Sequence, residues 1–552
     1  MGKRLVLFVL ISAVWGNDKT VLYPFDWVGQ YGVMSVNGEL IWNRDWRSGP
    51  LLFDGTFAYY PLRFGPAYLR DYTTIASSDI AVFGELPDTT SLSSNFDYRK
   101  GDYLYDQLEV NADFGDKNRL IGWSGFKRTY AGIYNQYAQP SGYLTPIQQS
   151  YRIDYRSRQD NDMIDASVAH FVTNSGLPDS SANGLLRDRI TVAGVSYKHR
   201  FKKWNWTVNG SQFNQKYRVD LSSSSGSPTR YLTRGYLHSR LTYPTSDSAS
   251  FLFGLVYNQQ GILSRSTSLK SRNWSNLYGG VRNKNFLIHA GLTLAGVNDL
   301  RPYLQVRFVS SNEKREMIIK FQMEARPAHL MKWVNSSKTF LEKWYVGEMD
   351  YQRVLGNLQV GGEFRITRVD DFENLFRYGM PETATEYYPR VIAGKIKADW
   401  RLTSYLRLKG YFQQTNALSS LSDGTGKRLH FEMDGRTRLF NNNMNTIIKL
   451  AVDGLLDRLP QFGFDPFWGV PYVNGDPARS LPDYWVGHFQ LTAEISTVTL
   501  VWSIKNILNS SGAFFQKVAP GIPEEYYWIE NSDRFPPMGR LVNFRIVWNF
   551  KN

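Results

Sequence analysis

The side chains best suited to chemistry in this chain are its seven histidines, at positions 170, 199, 238, 289, 329, 430 and 488. They are dispersed. No His-x-x-x-His pair occurs, and no acidic residue stands at metal-ligand spacing. Two local arrangements bear on hydrolysis. His238 and Ser239 are adjacent, but on a strand neighbouring side chains point to opposite faces, so the imidazole cannot serve that hydroxyl as a base. His430, Glu432 and Asp434 share a face, yet an acid–histidine cluster there needs partners from other strands. There is no Gly-x-Ser-x-Gly elbow, phosphate loop or dinucleotide fingerprint. There is also no cysteine to supply a thiolate nucleophile, a metal ligand or a disulfide. The sequence therefore predicts no enzyme, no metal site and no cofactor.

The remaining polar chemistry is charge. Lys and Arg number 64 against 50 Asp and Glu, a formal net charge of +14. The basic residues are spread along the chain rather than gathered in one patch with readout motifs, which argues against nucleic acid. Many fall on one face of alternating segments. Arg234, Arg240, Arg307, Lys320, Glu324, Glu363, Arg365, Arg407, Lys409 and Glu494 are candidates for a water-filled, mixed-charge interior that weakly favours anions.

The elements that carry these charges read as strands. Leu304, Val306 and Phe308 oppose Gln305 and Arg307; Met317, Ile319, Phe321 and Met323 oppose Lys320, Gln322 and Glu324; Leu406, Leu408 and Phe412 oppose Arg407, Lys409 and Gln413. The period is two, not 3.6, over close to twenty segments between Tyr103 and Phe550. Strands of a soluble sandwich average about 5–6 residues. Many here run to about ten, the length that a tilted strand needs to cross a bilayer. Tyr, Trp and Phe bound the apolar faces, as at Trp204, Trp206, Tyr231 and Tyr243, in the manner of an interfacial girdle. Only a closed sheet satisfies every backbone group in lipid. The fold class expected is all-β: a large antiparallel transmembrane barrel of 16–22 strands, with 22 favoured on about 20 residues per strand and connection.

The flanks and links agree. Met1–Gly16 has a basic start, a ten-residue apolar stretch and a small final residue, the anatomy of a secretory signal. Ser496-Thr497 is almost no loop at all, whereas 455–483, 510–537 and 222–228 are long and turn-rich. Short turns inside and long loops outside are the asymmetry of outer-membrane barrels. Phe462, Phe464, Phe467, Trp468 and Tyr472 make the loop 455–483 a candidate outer contact surface.

The C-terminus is the most specific feature. In 541–550, Phe544, Ile546, Trp548 and Phe550 alternate with Asn543, Arg545 and Asn549. This resembles the final-strand signal read by the barrel-insertion machinery, although Lys551 and Asn552 follow the last aromatic. Asn506-Ile507-Leu508-Asn509, a long loop, and Met538-Gly539-Arg540 before the last strand resemble the closing strands of TonB-dependent receptors, with Met538 where that pattern has proline. The likeness is sharp over about 55 residues and architectural elsewhere. Such receptors carry a globular plug ahead of the barrel, and no plug-ending Arg-Gly-Pro motif occurs here. Asp18–Leu22 is compatible with a TonB-contacting box, but short acidic-aliphatic strings of this kind are common.

The resulting organisation is a signal at 1–16, an N-terminal extension at 17–101 that fills the lumen or is a plug remnant, and a barrel at 102–552. The resemblance implies residence in the outer membrane of a Gram-negative-type bacterium and binding or passage of a small solute. The alternatives are a binding or assembly barrel occluded by its own N-terminal segment or by a partner, and, behind these, an outer-membrane hydrolase. The partners implied are outer-membrane lipid and lipopolysaccharide, the insertion machinery, and a separate plug or lipoprotein.

Overall fold

The computed structural model describes residues 20–40, 63, 86–138, 146–177, 184–221, 229–246, 248–264, 267–295, 299–327, 341–371, 390–417, 419, 421–459, 462–465, 470–473, 481–509, 529 and 535–551. Three short strands come first: β1 (Thr20–Pro24), β2 (Gly32–Val36) and β3 (Glu39–Leu40). The barrel then runs through β4 (Ser91–Gly101), β5 (Tyr105–Gly115), β6 (Arg119–Thr129), β7 (Ile147–Gln159), β8 (Asp162–Gly176), β9 (Gly184–Phe201), β10 (Trp204–Leu221) and β11 (Thr229–Pro244). It continues with β12 (Ala249–Ser264), β13 (Thr267–Asn283), β14 (Phe286–Ala295), β15 (Asp299–Asn312), β16 (Arg315–Pro327), β17 (Leu341–Leu355), β18 (Leu358–Asp370), β19 (Arg390–Arg401), β20 (Leu406–Thr415), β21 (Thr425–Leu439) and β22 (Met444–Arg458). A small hairpin, β23 (Phe462–Asp465) and β24 (Val470–Val473), interrupts the series before β25 (Tyr484–Ile495), β26 (Val498–Lys505) and β27 (Leu541–Lys551).

Each barrel strand pairs antiparallel with its neighbours in sequence, and β27 pairs back onto β4, closing a ring of 22 strands. The expected all-β antiparallel barrel, at its favoured strand number, is the fold observed. Closure leaves no unpaired edge, as lipid requires. Phe364, Ile396, Phe431, Ile448, Trp502, Phe544 and Trp548 are exposed on the outer wall, while their sequence neighbours face inward. Trp204 packs on Tyr243 at 4.9 Å between ring centroids, and Trp548 on Phe550 at 4.4 Å. Both pairs lie on the outer wall near the short-turn end. The turns at 116–118, 160–161, 202–203, 284–285 and 496–497 share that end, and the long connections, including 459–483 and 506–540, share the other.

One boundary needs correcting. The sequence places the start of the barrel at residue 102, but β4 (Ser91–Gly101) is already a barrel strand, paired with both β27 and β5. Its outward positions include Ser94 as well as Leu92, Phe96 and Tyr98, so its alternation is weak. The ladder with two neighbours, rather than side-chain hydrophobicity, fixes it.

The N-terminal strands form a separate antiparallel sheet, β1-β2-β3. Asn37 and Gly38 join β2 to β3 with φ of +49° and +78°, the left-handed pair of a type I′ hairpin turn. Residues 25–31 close the other end, where Asp26 accepts N–H groups from Val28 at 3.0 Å, Gln30 at 3.1 Å and Tyr31 at 2.9 Å. This sheet is bound to both β8 and β18, which stand ten strands apart in the 22-strand ring. A segment touching nearly opposite walls must cross the interior. The main apolar cluster is therefore inside the barrel, where Tyr23, Phe25, Trp27, Tyr31, Val33 and Met34 of the sheet region pack with Phe171, Ile190, Phe213, Tyr217 and Phe535.

Candidate functional site

All ten charges singled out from the sequence lie on the inward face, because each shares the parity of the buried or paired positions of its strand. They are not isolated. Lys409 Nζ reaches Glu432 at 2.6 Å and Asp434 at 3.5 Å, and Lys449 reaches Glu432 at 3.1 Å. Arg407 grips Asp399 with both Nε (2.7 Å) and Nη2. Glu363 pairs with Lys397 at 2.5 Å, Glu324 with Arg326, and Lys320 with Glu348 at 3.4 Å. Glu494 accepts from Asn445 at 2.6 Å. Arg307 stands directly across from Lys320 in the ladder, and Arg234 and Arg240 line β11. Much of the mixed-charge lining is thus paired, across strands for Lys320–Glu348, Glu363–Lys397, Arg407–Asp399 and Lys409–Glu432, where opposite charges are favourable, and along one strand for Glu324–Arg326.

The face shared by His430, Glu432 and Asp434 resolves differently from a catalytic cluster. His430 Nδ1 bonds Asp453 Oδ1 of β22 at 2.7 Å, and His488 Nε2 lies 3.5 Å from the same carboxylate. Glu432 and Asp434 are occupied by lysines. Among the described residues no group of three or more His, Cys, Asp or Glu is arranged to hold a metal. His238 bonds Tyr278 at 2.8 Å on the inner wall, away from the outward Ser239.

The N-terminal sheet and its loop are fastened to the wall by side chains from several strands. Arg365 Nε donates to Glu39 Oε2 at 2.6 Å, and Thr367 donates to the same oxygen. Arg458 Nη2 donates to Tyr23 Oη at 2.6 Å. Arg128 Nη1 donates to the Val28 carbonyl at 2.7 Å, and Lys505 Nζ to that of Trp27 at 2.9 Å. Trp27 Nε1 donates to the Gly539 carbonyl at 2.5 Å. Backbone bonds join Leu40 to Leu421 and Asp423 to Gly38. Arg63 lies 5.6 Å from the centre of the Tyr31 ring and 3.5 Å from Asp188. These wall residues stand at the long-loop ends of their strands, or in the long loops themselves. The sheet therefore sits across the long-loop end of the barrel.

Burial dominates the electrostatics of the cap. It raises the Asp26 carboxyl above its ordinary value in spite of the Tyr31 and Gln30 N–H groups and nearby Arg128. Burial also pushes the Tyr31 phenol up to about 12, with Arg63 opposing. At neutral pH Tyr31 is an uncharged packing group.

Beneath the cap the interior opens toward the short turns. One cavity of about 1280 Å³ is bounded by Tyr405, Arg436, Arg438, Asn445 and Glu494. A neighbour of about 520 Å³ is bounded by Arg401, Arg407, Asp434 and Arg436. Of the candidate outer contacts, Phe462, Phe464 and Tyr472 belong to the β23–β24 hairpin, while Phe467 and Trp468 lie outside the described residues, as does the signal segment 1–16. Phe544, Ile546, Trp548 and Phe550 line the outer face of β27. The sequence reading missed Glu39, Tyr23 and Trp27. Asn37-Gly38 between short apolar runs was the available signal.

The closed 22-strand barrel is a fold shared with solved structures of outer-membrane transporters and receptors. The chain is similar to the FrpB iron transporter from Neisseria meningitidis (F3-3 variant), at 11% identity over 98% of this chain and 96% of that one, with a TM-score of 0.70. It is likewise similar to the ferric yersiniabactin uptake receptor FyuA from Yersinia pestis (10% identity, 96% and 93% covered, TM-score 0.65) and to the copper transporter OprC (11%, 96% and 94%, 0.66). No protein-family model matches the chain, and no curated protein sequence does.

Proposed function

We propose that the chain is a gated outer-membrane receptor and transporter for a small solute, exported through its N-terminal signal and closed at its outer mouth by residues 20–40. The observation that carries this reading is the buried Glu39–Arg365 pair, which fastens a small internal sheet to the wall. An open pore would leave the lumen free, whereas this cap fills the mouth with a packed apolar cluster. The solute meets the long loops, the cap yields, and the charged lining below passes the solute toward the short-turn side. The neighbours in fold are transporters and receptors.

Planar-bilayer conductance tests the reading. The full chain should stay silent, and deletion of residues 20–40 should give stable current steps. A deletion variant that runs as a folded barrel on a heat-modifiability gel yet stays silent refutes the gate. Steady current through the full chain refutes it equally, and favours a passive pore.

A further inference from the structure

Strands β9 and β10 have 18 residues each, well beyond the span of a bilayer, and their excess projects at the long-loop end. Their outward residues are apolar or aromatic low on the wall and change character higher up. Val168, Val195 and Leu237 form an exposed apolar zone on neighbouring strands. Above it runs a polar row, His170–Thr191–Asn214–Thr233, aligned by the ladder. His170 bonds Thr191 at 2.9 Å, and Thr233 donates to Asn214 at 3.0 Å. Above that come two basic rows. Lys216 stands directly across from Arg189, with Tyr231 on its other side, and Arg218 stands across from Arg187.

Like charges facing each other across a strand pair are destabilising. Here that occurs twice in succession on an exposed surface. Asp220 meets Arg218 at 2.7 Å and Arg187 at 3.6 Å, so these five side chains carry 4 − 1 = 3 net positive charges. Height fixes what they meet. Arg189 stands twelve residues up the strand from Phe201 of the lower rim, about 30 Å at a rise of ~3.3 Å and a tilt of ~40°. The apolar band of such barrels is about 25 Å tall. The basic rows therefore sit just above the hydrocarbon, at the level of outer-leaflet headgroups.

We propose that this outer-wall patch binds a phosphorylated glycolipid of the outer leaflet. Phosphate groups settle between Arg189, Lys216 and Arg187, relieving the like-charge pairs. The hydroxyl and amide row below faces the sugar, and the acyl chains lie along Val168, Val195 and Leu237. The site is on the lipid side of the wall, so it is independent of the gate.

Native mass spectrometry of the full chain in detergent, with diphosphorylated hexa-acyl lipid A added, tests the site. Each basic contact near an anionic surface is worth about fivefold in affinity. An R189E/K216E variant should therefore bind lipid A about 25-fold more weakly or worse, while retaining its heat-modifiable mobility. If the charge-reversed chain does not fold, R189Q/K216Q carries the same test. Excess inorganic phosphate should fail to displace the lipid, and phosphatidylglycerol should bind far more weakly. Parental affinity in the folded variants overturns the proposal. So does displacement by phosphate, which marks a bare anion site, or equal binding of phosphatidylglycerol, which marks an unspecific anionic surface.

Discussion

Arg365 on β18 and Glu39 on β3 are 326 residues apart in sequence, yet their side chains meet at 2.6 Å with 5% and 1% of their surface exposed. Arg365 also reaches Glu348 on β17, which in turn meets Lys320 on β16. The wall thus presents a cation already supported by its own carboxylate, and the N-terminal hairpin delivers a second one. That second carboxylate adds little to the wall but fixes the hairpin, because outside this pocket Glu39 would be solvated and the hairpin free.

Replacing Glu39 by alanine should release the hairpin without opening the barrel ring. Breaking a buried ion pair costs about 3–5 kcal/mol, so amide exchange across residues 33–40 should accelerate on the order of a hundredfold or more. Exchange within β17 and β18 should change far less, since Glu348 still holds Arg365. Unaltered protection at residues 33–40 would show that the apolar packing of the cap is sufficient without the pair.

Gly38 offers a steric test of the same docking. Its φ of +78° is the left-handed conformation, and a Cβ built there would overlap the Thr415 hydroxyl on β20. Gly38→Ala should therefore weaken docking through two terms. The conformational term is about 1–2 kcal/mol, and the remainder is the clash. Adding Thr415→Ala should restore the steric part alone. If the double variant exchanges as fast as Gly38→Ala, the overlap is relieved by other movement and only the backbone term matters.

The cap should also be alkali-sensitive. Tyr31 is fully buried, stacked on Tyr137 at 5.8 Å and against Phe535 at 5.2 Å. Its phenol ionises at about 12 in place, against 10.0 when free. A folded-state value raised above the unfolded one gives stability that is whole below pH 10 and lost as pH climbs through 12. Two units correspond to about 3 kcal/mol. Burial raises Tyr130 and Tyr137 in the same direction. Current through the full chain should therefore appear between about pH 10 and 12, and Tyr31→Phe should move its onset upward. A chain still silent at pH 12, with its barrel intact by gel mobility, would separate the cap from these phenols.

The barrel was legible in the sequence and the cap was not, for one physical reason. A strand with lipid on one side and water on the other must alternate, so Leu406, Leu408 and Phe412 announce β20 against Arg407 and Lys409. An element buried on all sides has no such constraint. Val33, Met34 and Ser35 are consecutive and all buried, so β2 has no readable period. The wall partners of the cap as a whole, Arg128 to Val28, Arg365 to Glu39, Arg458 to Tyr23 and Lys505 to Trp27, are scattered over almost 400 residues and meet only once the ring has closed. The same limit explains His430. Its neighbours by face are Glu432 and Asp434, but its bond is to Asp453, one strand over, a register that alternation alone does not determine. That the long connections gather at one end was legible because this asymmetry is a property of length, not of contacts.

Ring closure rests on a relationship that mutation can isolate. Asp97 on β4 receives both Nε and Nη2 of Arg545 on β27, at 2.9 and 2.7 Å, and both nitrogens of Arg99, at 3.3 and 3.1 Å. Arg99 and Arg545 are direct cross-strand partners at this seam, so without the carboxylate two guanidinium groups face each other. Asp97→Ala should lower the temperature at which the compact, SDS-resistant band is lost, since hydrogen bonds to a charged group contribute about 1.5–3 kcal/mol and the repulsion adds to their loss. Removing Arg99 as well should recover part of that drop by relieving the repulsion, a non-additivity that a generally weakened strand would not give. If Asp97→Ala and the double variant both melt with the parent, the seam is held by its backbone ladder alone.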